Sequence, residues 1–282
     1  MPIKGSLVSV LLALVLASCS NETQTLTPQT SGDFALLTYN VAGLPTGISE
    51  SNPEANTPLM SPLLNRYDIA LVQEDFVFHE QLKSRAQHAF QSIPSQQLGQ
   101  FGFGDGLNRF SIFSFVSFRR EAWTVCSNNR GNDCLAMKGF SSAATTIAEN
   151  AVIDIYNIHL DSGGSQGDFA ARLAQVDQLL AAINSQSAGK AVIVAGDTNM
   201  NTNLRPQDEQ LLVRLLNGAG LVDVCRSLSC GTELVDRVLY RSGTALKLQP
   251  TLWQIDAAFV DPQGVMLSDH NAFGVTFSWE AR

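Results

Sequence analysis

The segment Ala191 to Asn201, AVIVAGDTNMN, constrains the fold more than any other part of this sequence. Its small and apolar residues run without interruption into Gly196, a pattern that predicts a buried β-strand ending in a turn. Because side chains two residues apart point to the same face of an extended chain, Asp197 and Asn199 would present a carboxylate and an amide to one point. Such groups suit a divalent cation, a water molecule or a phosphate, although the same residues are also ordinary turn formers.

A helix precedes this strand and makes it part of a strand–helix–strand unit. Apolar residues recur every three or four positions between Asp168 and Asn184, which predicts a helix with one apolar stripe and with Asp168 as its N-cap. A strand is predicted for Ala151 to Leu160, before this helix, and a second helix for Gln207 to Leu216. The mixture of strands and helices agrees with an α+β fold. Further predictions are a helix at Phe78 to Phe90 and strands at Arg109 to Phe118 and Ile255 to Val260.

Other short apolar segments also end in polar residues. The strand predicted for Phe34 to Val41 contains Asn40 near its end, and the apolar run Ile69 to Val72 leads almost directly to Glu74. Each polar residue alone has a structural explanation, as a turn former, an ion-pair partner or a solubilising strand end. A carboxylate that points inward without a partner is costly, so the repetition favours a shared site. The residues in this pattern are Asn40, Glu74, His159, Asp197, Asn199, Asp236, Asp269 and His270.

The N-terminus has the pattern of an export signal. Lys4 supplies a positive charge, and the apolar run Leu7 to Ala17 is too short to span a membrane. The residues before Cys19 resemble the bacterial lipobox, which implies cleavage after residue 18 and lipidation of Cys19; an ordinary signal peptide that contains a cysteine is the alternative. Residues 19–32 then form a flexible tether, and residues 33–282 form the folded domain.

The four remaining cysteines fall into two close pairs. An exported chain meets an oxidising compartment, so we predict the disulfides Cys126–Cys134 and Cys225–Cys230. A zinc site is the alternative, but no second Cys-x-x-Cys motif or nearby histidine pair completes it.

Composition argues against a broad nucleic-acid surface. The net charge is −8, whereas nucleic-acid backbones are usually bound by clustered lysine and arginine. A local basic groove remains the alternative. Its candidates are Arg109, Arg119, Arg120, Arg237 and Arg241. Two phenylalanines in a glycine-rich segment, Phe101 and Phe103, could contact lipid, but core packing is the favoured interpretation.

The polar strand ends, taken in order, resemble a known superfamily. The matching motifs are Thr38-Tyr39-Asn40-Val41, Val72-Gln73-Glu74, Asn157-Ile158-His159-Leu160, Gly196-Asp197-Thr198-Asn199, Asp236-Arg237-Val238-Leu239-Tyr240 and Leu267-Ser268-Asp269-His270. This ordered set resembles the endonuclease/exonuclease/phosphatase superfamily, which includes deoxyribonuclease-like nucleases, inositol-polyphosphate phosphatases and neutral sphingomyelinases. The resemblance covers residues 33–282. It implies a four-layer αββα sandwich, in which two mixed β-sheets pack face to face between outer helices.

The resemblance also implies a metal site and an attacking water. Glu74 would be the principal Mg²⁺ ligand, with Asn40 nearby on the metal or the phosphate, and Mn²⁺ or Ca²⁺ are alternatives to Mg²⁺. Asp197 would activate or orient the water, and Asn199 would hold a phosphate oxygen or the nucleophile. Asp269 would support His270 or contact a second metal ion.

Two histidines would flank the phosphate in such a site. His159 and His270 would donate protons and stabilise charge, and the sequence does not say which is the acid and which the base. Asp236 would orient His159, with Asp256 as the less favoured candidate for that role. Phosphodiester cleavage requires these functions more than covalent catalysis.

The sequence therefore predicts an Mg²⁺-dependent phosphodiesterase of the bacterial cell envelope. Residues 39–45 and 72–76 look most like sphingomyelinase-type envelope phosphodiesterases, which implies a phospholipid or another small phosphoester as substrate. An extracellular or periplasmic nuclease is one alternative, and a non-catalytic envelope lipoprotein of the same fold is another. We expect no protein partner.

Overall fold

The computed structural model describes residue 1 and residues 29–49, 51–99, 102–127, 133–231 and 234–282. The predicted signal peptide, Cys19 and the first part of the predicted tether lie outside these residues, as does Phe101. Within the described part of the chain, no helix combines the length and apolar character needed to cross a membrane.

Twelve strands and five α-helices are found among the described residues. The strands are β1 (Ser31–Asn40), β2 (Ile69–Gln73), β3 (Phe90–Gln91), β4 (Asn108–Ser111), β5 (Phe115–Ala122), β6 (Gly139–Ala148), β7 (Ala151–His159), β8 (Ala191–Asp197), β9 (Val222–Asp223), β10 (Asp236–Arg241), β11 (Leu246–Ile255) and β12 (Phe273–Ala281). The helices are α1 (Pro53–Leu63), α2 (His79–Lys83), α3 (Gln166–Gln186), α4 (Pro206–Ala219) and α5 (Val224–Ser227).

The strands form two sheets of six. The first sheet has the order β11-β12-β1-β2-β4-β3, and the second has the order β5-β6-β7-β8-β10-β9. Each sheet contains one parallel pair, β1 with β2 and β7 with β8, and the other pairs are antiparallel. Both sheets are therefore mixed, as expected.

An apolar layer lies between the two sheets. It joins inward-facing side chains of the first sheet to those of the second. Because the outer faces of the central strands are covered as well, these strands are apolar along most of their length and do not alternate with polar residues. The central members of the inner layer are Phe34, Leu36, Ile69, Leu71, Ile153, Ile155, Ile193, Val238, Val275 and Phe277.

Helices cover the outer face of each sheet. On the second sheet, Val192 and Val194 of β8 pack with Val176 of α3 and Leu211 of α4. On the first sheet, the apolar cluster of β1 and β2 includes Met60 of α1. The order helix, sheet, sheet, helix confirms the predicted α+β sandwich of four layers.

Both predicted disulfides are present, linking Cys126 to Cys134 and Cys225 to Cys230. The zinc alternative for the cysteines is therefore wrong.

Phe103 is partly buried and packs against Phe76, with 5.7 Å between the ring centroids.

Four local predictions need correction. The helix expected at Phe78 to Phe90 ends at Lys83, because the chain then leaves to pair as β3 with β4. The strand expected at Arg109 to Phe118 is two strands, β4 and β5, which belong to different sheets.

The N-cap of α3 is Ser165, and Asp168 is its partner in a capping box: the Ser165 hydroxyl accepts a hydrogen bond from the Asp168 backbone, and the Asp168 carboxylate accepts one from the Ser165 backbone. The segment expected as a strand at Ile255 to Val260 turns instead at Asp256, whose carboxylate accepts a hydrogen bond from the Ala258 backbone.

A buried arginine joins the two helices of the second outer layer. Arg172 of α3 donates to Oδ1 of Asp208 in α4 at 2.9 Å, and both side chains are almost fully buried. The same guanidinium donates to the carbonyl groups of Asp161 and Gly163, at 3.0 and 2.9 Å. Arg172 therefore fixes the loop that follows β7 to the start of α4.

We predict that Arg172→Met lowers the free energy of unfolding by about 3–5 kcal/mol, because it removes the buried partner of Asp208 Oδ1 and the donor to two carbonyl groups, and leaves only the partly exposed Arg205 beside Asp208. Urea denaturation measures the change. Arg214→Met is the matched control, since Arg214 joins α4 to Asp177 of α3 by an exposed ion pair, and it should leave the stability almost unchanged. Equal losses in the two variants would contradict the importance of the buried pair.

Candidate active site

The polar strand ends converge at one edge of the sandwich. Asn40 ends β1 and Glu74 follows β2, and these strands run parallel in the first sheet. His159 and Asp197 end β7 and β8, which run parallel in the second sheet and pair at these two residues. Strand β10 is antiparallel to β8 and begins at this same edge, where Asp236 pairs with Asp197. The edge thus collects side chains from both sheets.

Glu74 and Asp197 are linked by one amide. The Asn40 Nδ2 group lies 3.1 Å from Glu74 Oε1 and 3.2 Å from Asp197 Oδ2 and donates to both carboxylates. Asn40 is itself fixed, because its Oδ1 accepts a hydrogen bond from the Ala42 backbone at 3.0 Å. Asn40 therefore holds a carboxylate of each sheet at one point between the sheets.

His270 and Asp236 form a hydrogen-bonded pair. His270 Nδ1 lies 2.8 Å from Asp236 Oδ2, and His270 Nε2 lies 3.7 Å from Asp197 Oδ2. Burial opposes a charge on His270, but Asp236, Asp197 and Asp269 outweigh it and raise the pKa of His270 to about 10. His270 is therefore an imidazolium at neutral pH.

The predicted pairing of Asp236 with His159 is wrong. Asp236 starts β10 beside the loop that carries His270, and that imidazole takes its Oδ2. Asp256, the other candidate, accepts hydrogen bonds from Tyr67 and Arg66, at 2.8 and 2.9 Å. Asp256 therefore has a structural role.

His159 is buried and neutral. Its Nε2 lies 3.4 Å from Asp197 Oδ2 and 3.9 Å from Glu74 Oε1. Burial, with smaller effects from the charges of Lys138 and His270, lowers the pKa of His159 well below its usual value. The two histidines therefore differ in charge: His270 carries a proton on both nitrogens, and His159 does not.

Asn199 and Asp269 lie at the border of this cluster. Asn199 has a positive φ of 51°, its backbone donates to Asp197 Oδ1 at 2.9 Å, and its amide donates to the Leu160 carbonyl at 3.0 Å. The exposed Asp269 accepts a hydrogen bond from the Ser268 hydroxyl at 3.2 Å. Both predicted residues are thus near the site, and Asn199 also ties the ends of β7 and β8 together.

The sequence interpretation missed a lysine in this site. Lys138 immediately precedes β6, which pairs with β7 so that Phe140 lies opposite Ile158, close to the strand end that carries His159. Lys138 forms an ion pair with Asp133, and the other Asp133 oxygen accepts hydrogen bonds from the Ser162 backbone and hydroxyl at 3.0 Å. Burial opposes its charge, but Asp133 and Glu74 raise the pKa of Lys138. No apolar strand precedes Lys138, so the pattern of polar strand ends could not find it.

The surroundings of Glu74 and Asp197 raise the pKa of both carboxylates. Burial raises the pKa of Glu74, and the charge of Asp197 adds to it. Burial, followed by the charge of Asp236, raises the pKa of Asp197 to about 6. A carboxylate with such a pKa can accept a proton near neutral pH.

A hard divalent cation fits beside Glu74. Two desolvated carboxylates share a single amide donor, and about one fifth of the Glu74 side chain stays open to solvent. Asp197, Asp236 and His270 also offer ligand atoms within 4.8 Å of one another. That trio is less suitable, because Asp236 is already bonded to the imidazolium and Mg²⁺ prefers oxygen ligands.

Similar proteins were found by sequence and by structure. No protein-family model matches the chain. Sphingomyelinases of Mycobacterium tuberculosis and Mycobacterium bovis are 33% identical to it over 273 residues, which cover 89% of this chain and 54% of theirs. The chain thus spans about half the length of these curated relatives.

Two solved structures have a similar fold. A mutant of beta toxin from Staphylococcus aureus with bound magnesium ions has a TM-score of 0.63 at 14% identity, covering 86% of this chain and 99% of that one. A humanized TDP2 of D. rerio has a TM-score of 0.65 at 21% identity, covering 87% and 98%. The chain therefore shares its fold, a sandwich of two mixed β-sheets between outer helices, with these proteins.

We predict that Asp236→Asn lowers the pKa of His270 by about 1–3 in metal-free protein, because it removes the nearest negative charge. Nuclear magnetic resonance of the imidazole nitrogens measures the titration. Asp269→Asn is the comparison variant and should have a smaller effect, since Asp269 contributes less to the charge on His270. A His270 titration that is the same in Asp236→Asn and in the wild-type protein would contradict the pairing.

Proposed function

We propose that this protein is an Mg²⁺-dependent phosphodiesterase that hydrolyses a phospholipid of the sphingomyelin type. The observation that carries the proposal is the arrangement around Asn40: two carboxylates share its amide, and a protonated histidine stands beside one of them. The sphingomyelinase relatives support the substrate class. The magnesium ions of the similar beta toxin support the metal.

The chain's own residues suffice for most of the chemistry. The water that attacks phosphorus gives its proton to Asp197, whose pKa of about 6 allows it to accept one. His270 Nε2 donates a hydrogen bond to a non-bridging phosphate oxygen. Asp236 accepts the hydrogen bond from His270 Nδ1 and keeps that nitrogen protonated. His159, which is neutral, donates to the phosphate without adding charge. As the water oxygen bonds to phosphorus, the bond to the leaving oxygen breaks on the opposite side, and the leaving oxygen takes up a proton from solvent to form the alcohol.

Glu74 would hold Mg²⁺, with Asn40 beside it, and Lys138 would add a second positive charge near the phosphate. When bound, the ion supplies positive charge that stabilises the phosphate and the leaving oxygen in the transition state. Mn²⁺ or Ca²⁺ are alternatives. Asp269 adds negative charge beside His270, and its exposed carboxylate could contact a second metal ion.

The nuclease alternative has less support. Four of the five candidate arginines are used inside the protein: Arg237 pairs with Asp223, Arg120 with Asp105, and Arg109 and Arg241 donate to backbone carbonyls. Arg119 is exposed. A DNA or RNA substrate would therefore lack a basic groove built from these residues. The similarity to TDP2 keeps nucleic acid on the list of substrates to test.

We further propose that the protein is a lipoprotein of the cell envelope. The apolar run and Cys19 near the N-terminus support export and lipidation. The two disulfides support an oxidising compartment. Membrane attachment would bring the site close to phospholipid.

Purified protein that starts after Cys19 should hydrolyse sphingomyelin vesicles only when Mg²⁺ is added. We expect EDTA and Glu74→Ala to abolish turnover, and His270→Ala to lower kcat/KM by about 10²–10³-fold, because the positively charged hydrogen-bond donor to the phosphate is lost. Released phosphorylcholine measures the rate. Plasmid DNA, inositol phosphates and an aryl phosphodiester complete the substrate panel.

The surface variant Arg214→Met is the control for these assays and should keep full activity. A rate that survives both Glu74→Ala and Asp197→Ala would contradict the assigned site. Metal-dependent cleavage of DNA in place of lipid would favour the nuclease, and no cleavage of any substrate would favour the non-catalytic lipoprotein.

Mass spectrometry should find lipid on Cys19. Full-length protein expressed in a bacterial host should partition with membranes, and its first residue should be an acylated Cys19. Cys19→Ala should abolish this modification and release the protein from membranes. An N-terminus at another residue, without lipid, would identify an ordinary signal peptide.

A further inference from the structure

Glu74 has a strained backbone. Its φ is +57°, in the left-handed region that residues with a side chain seldom adopt. Such a conformation is unfavourable and persists only where the surrounding structure enforces it. The direction of the Glu74 carboxylate depends on this conformation, so whatever enforces it also places the carboxylate in the site.

Backbone contacts supply part of the restraint. The Gly43 amide donates to the Glu74 carbonyl, and the Asp75 amide donates to the Gly106 carbonyl, both at 3.0 Å. Gly106 approaches so closely that a Cβ there would lie 2.9 Å from the Glu74 Cα. Both hydrogen bonds hold the peptide group between Glu74 and Asp75, and neither holds the Asp75 side chain.

Asp75 is held by a buried cluster that takes no part in the proposed chemistry. Its Oδ2 lies 2.5 Å from His79 Nδ1 and 2.8 Å from Asn108 Nδ2, and all three residues are buried. His79 opens α2 and packs against Phe110. Asn108 opens β4, which pairs with β2.

The cluster therefore ties the residue after Glu74 to two separate elements. Asn108 also accepts hydrogen bonds from Ser92 and Arg120, at 3.1 and 2.7 Å, so its own orientation is fixed from the rest of the protein. His79 is the first residue of α2, and its side chain is held between Asp75 and Phe110. Rotation of the Asp75 side chain would break both hydrogen bonds, so the residue that follows Glu74 is held in place.

We propose that Asp75, His79 and Asn108 form a positioning network that sets the backbone of Glu74 and thereby prepares its carboxylate for the divalent cation. The inference rests on the proposed function in that Glu74 binds the cation. It goes further by giving a role in metal affinity to residues that do not contact the metal. Partners behind metal ligands commonly have this effect.

A second buried histidine provides a matched control. His88 also packs against Phe110, at 6.0 Å between ring centroids compared with 6.1 Å for His79. Its Nε2 bonds to the Tyr67 carbonyl, away from Glu74. Replacing either histidine by phenylalanine keeps an aromatic ring against Phe110, but only His79→Phe removes a bond to Asp75.

Isothermal titration calorimetry with Mg²⁺ alone tests the network. We expect His79→Phe to weaken the Kd by about 10–100-fold, as loss of such partners does in metal sites, and His88→Phe to leave it unchanged. Urea denaturation of both variants separates positioning from general stability. Asp75→Leu is the second variant, because it keeps the approximate size of the side chain but removes the oxygen that binds His79 and Asn108, and it should weaken the Kd in the same direction.

A wild-type Kd in folded His79→Phe or in folded Asp75→Leu would overturn the proposal, even if the variant were less stable. Equal weakening in His79→Phe and His88→Phe would overturn it too, since it would indicate general damage. A wild-type protein that binds Mg²⁺ but hydrolyses no substrate would refute the proposed function, and the Kd comparison would still decide on the network.

Discussion

Two carboxylates of like charge meet at the edge of the sandwich, and the amide of Asn40 holds them there. Glu74 belongs to the first sheet and Asp197 to the second, so their contact depends on the packing of the two sheets as a whole. Burial opposes the negative charge of both, and the charge of Asp197 adds to this effect at Glu74, as the charge of Asp236 does at Asp197. Such a pair is costly to build and is suited to a cation and a phosphate ester.

The groups around this pair differ in charge: one histidine is protonated, the other histidine is neutral, and a lysine is charged. Asp236 keeps His270 protonated, whereas burial keeps His159 neutral. Lys138 stays charged through Asp133, whose other oxygen is held by the loop after β7. The site therefore combines a proton acceptor, a fixed positive charge and a neutral donor, three functions that hydrolysis of a phosphodiester requires.

Most residues of the site could be predicted from the sequence, because the strands are short and apolar and end abruptly in polar residues. Asn40, Glu74, His159, Asp197 and His270 follow that pattern, and the structure brings them together. The histidine that pairs with Asp236 could not be predicted, because the pairing depends on how closely the loop before β12, which carries His270, packs against the start of β10. Lys138 was missed since it precedes its strand, and α2 was overestimated because pairing of β3 with β4 overrides the local helical pattern.

The sequence by itself determined the α+β composition, the strand ends that carry chemistry and the two cysteine pairs, since each depends on the local order of residue types. The segment Ala191 to Asn201 already placed a carboxylate and an amide on one side of a strand end. Only the tertiary structure decided which histidine is charged, which carboxylate orients it, and how Glu74 is held in a strained backbone. These properties depend on burial and on distances between residues far apart in the chain, and the local sequence does not encode either one.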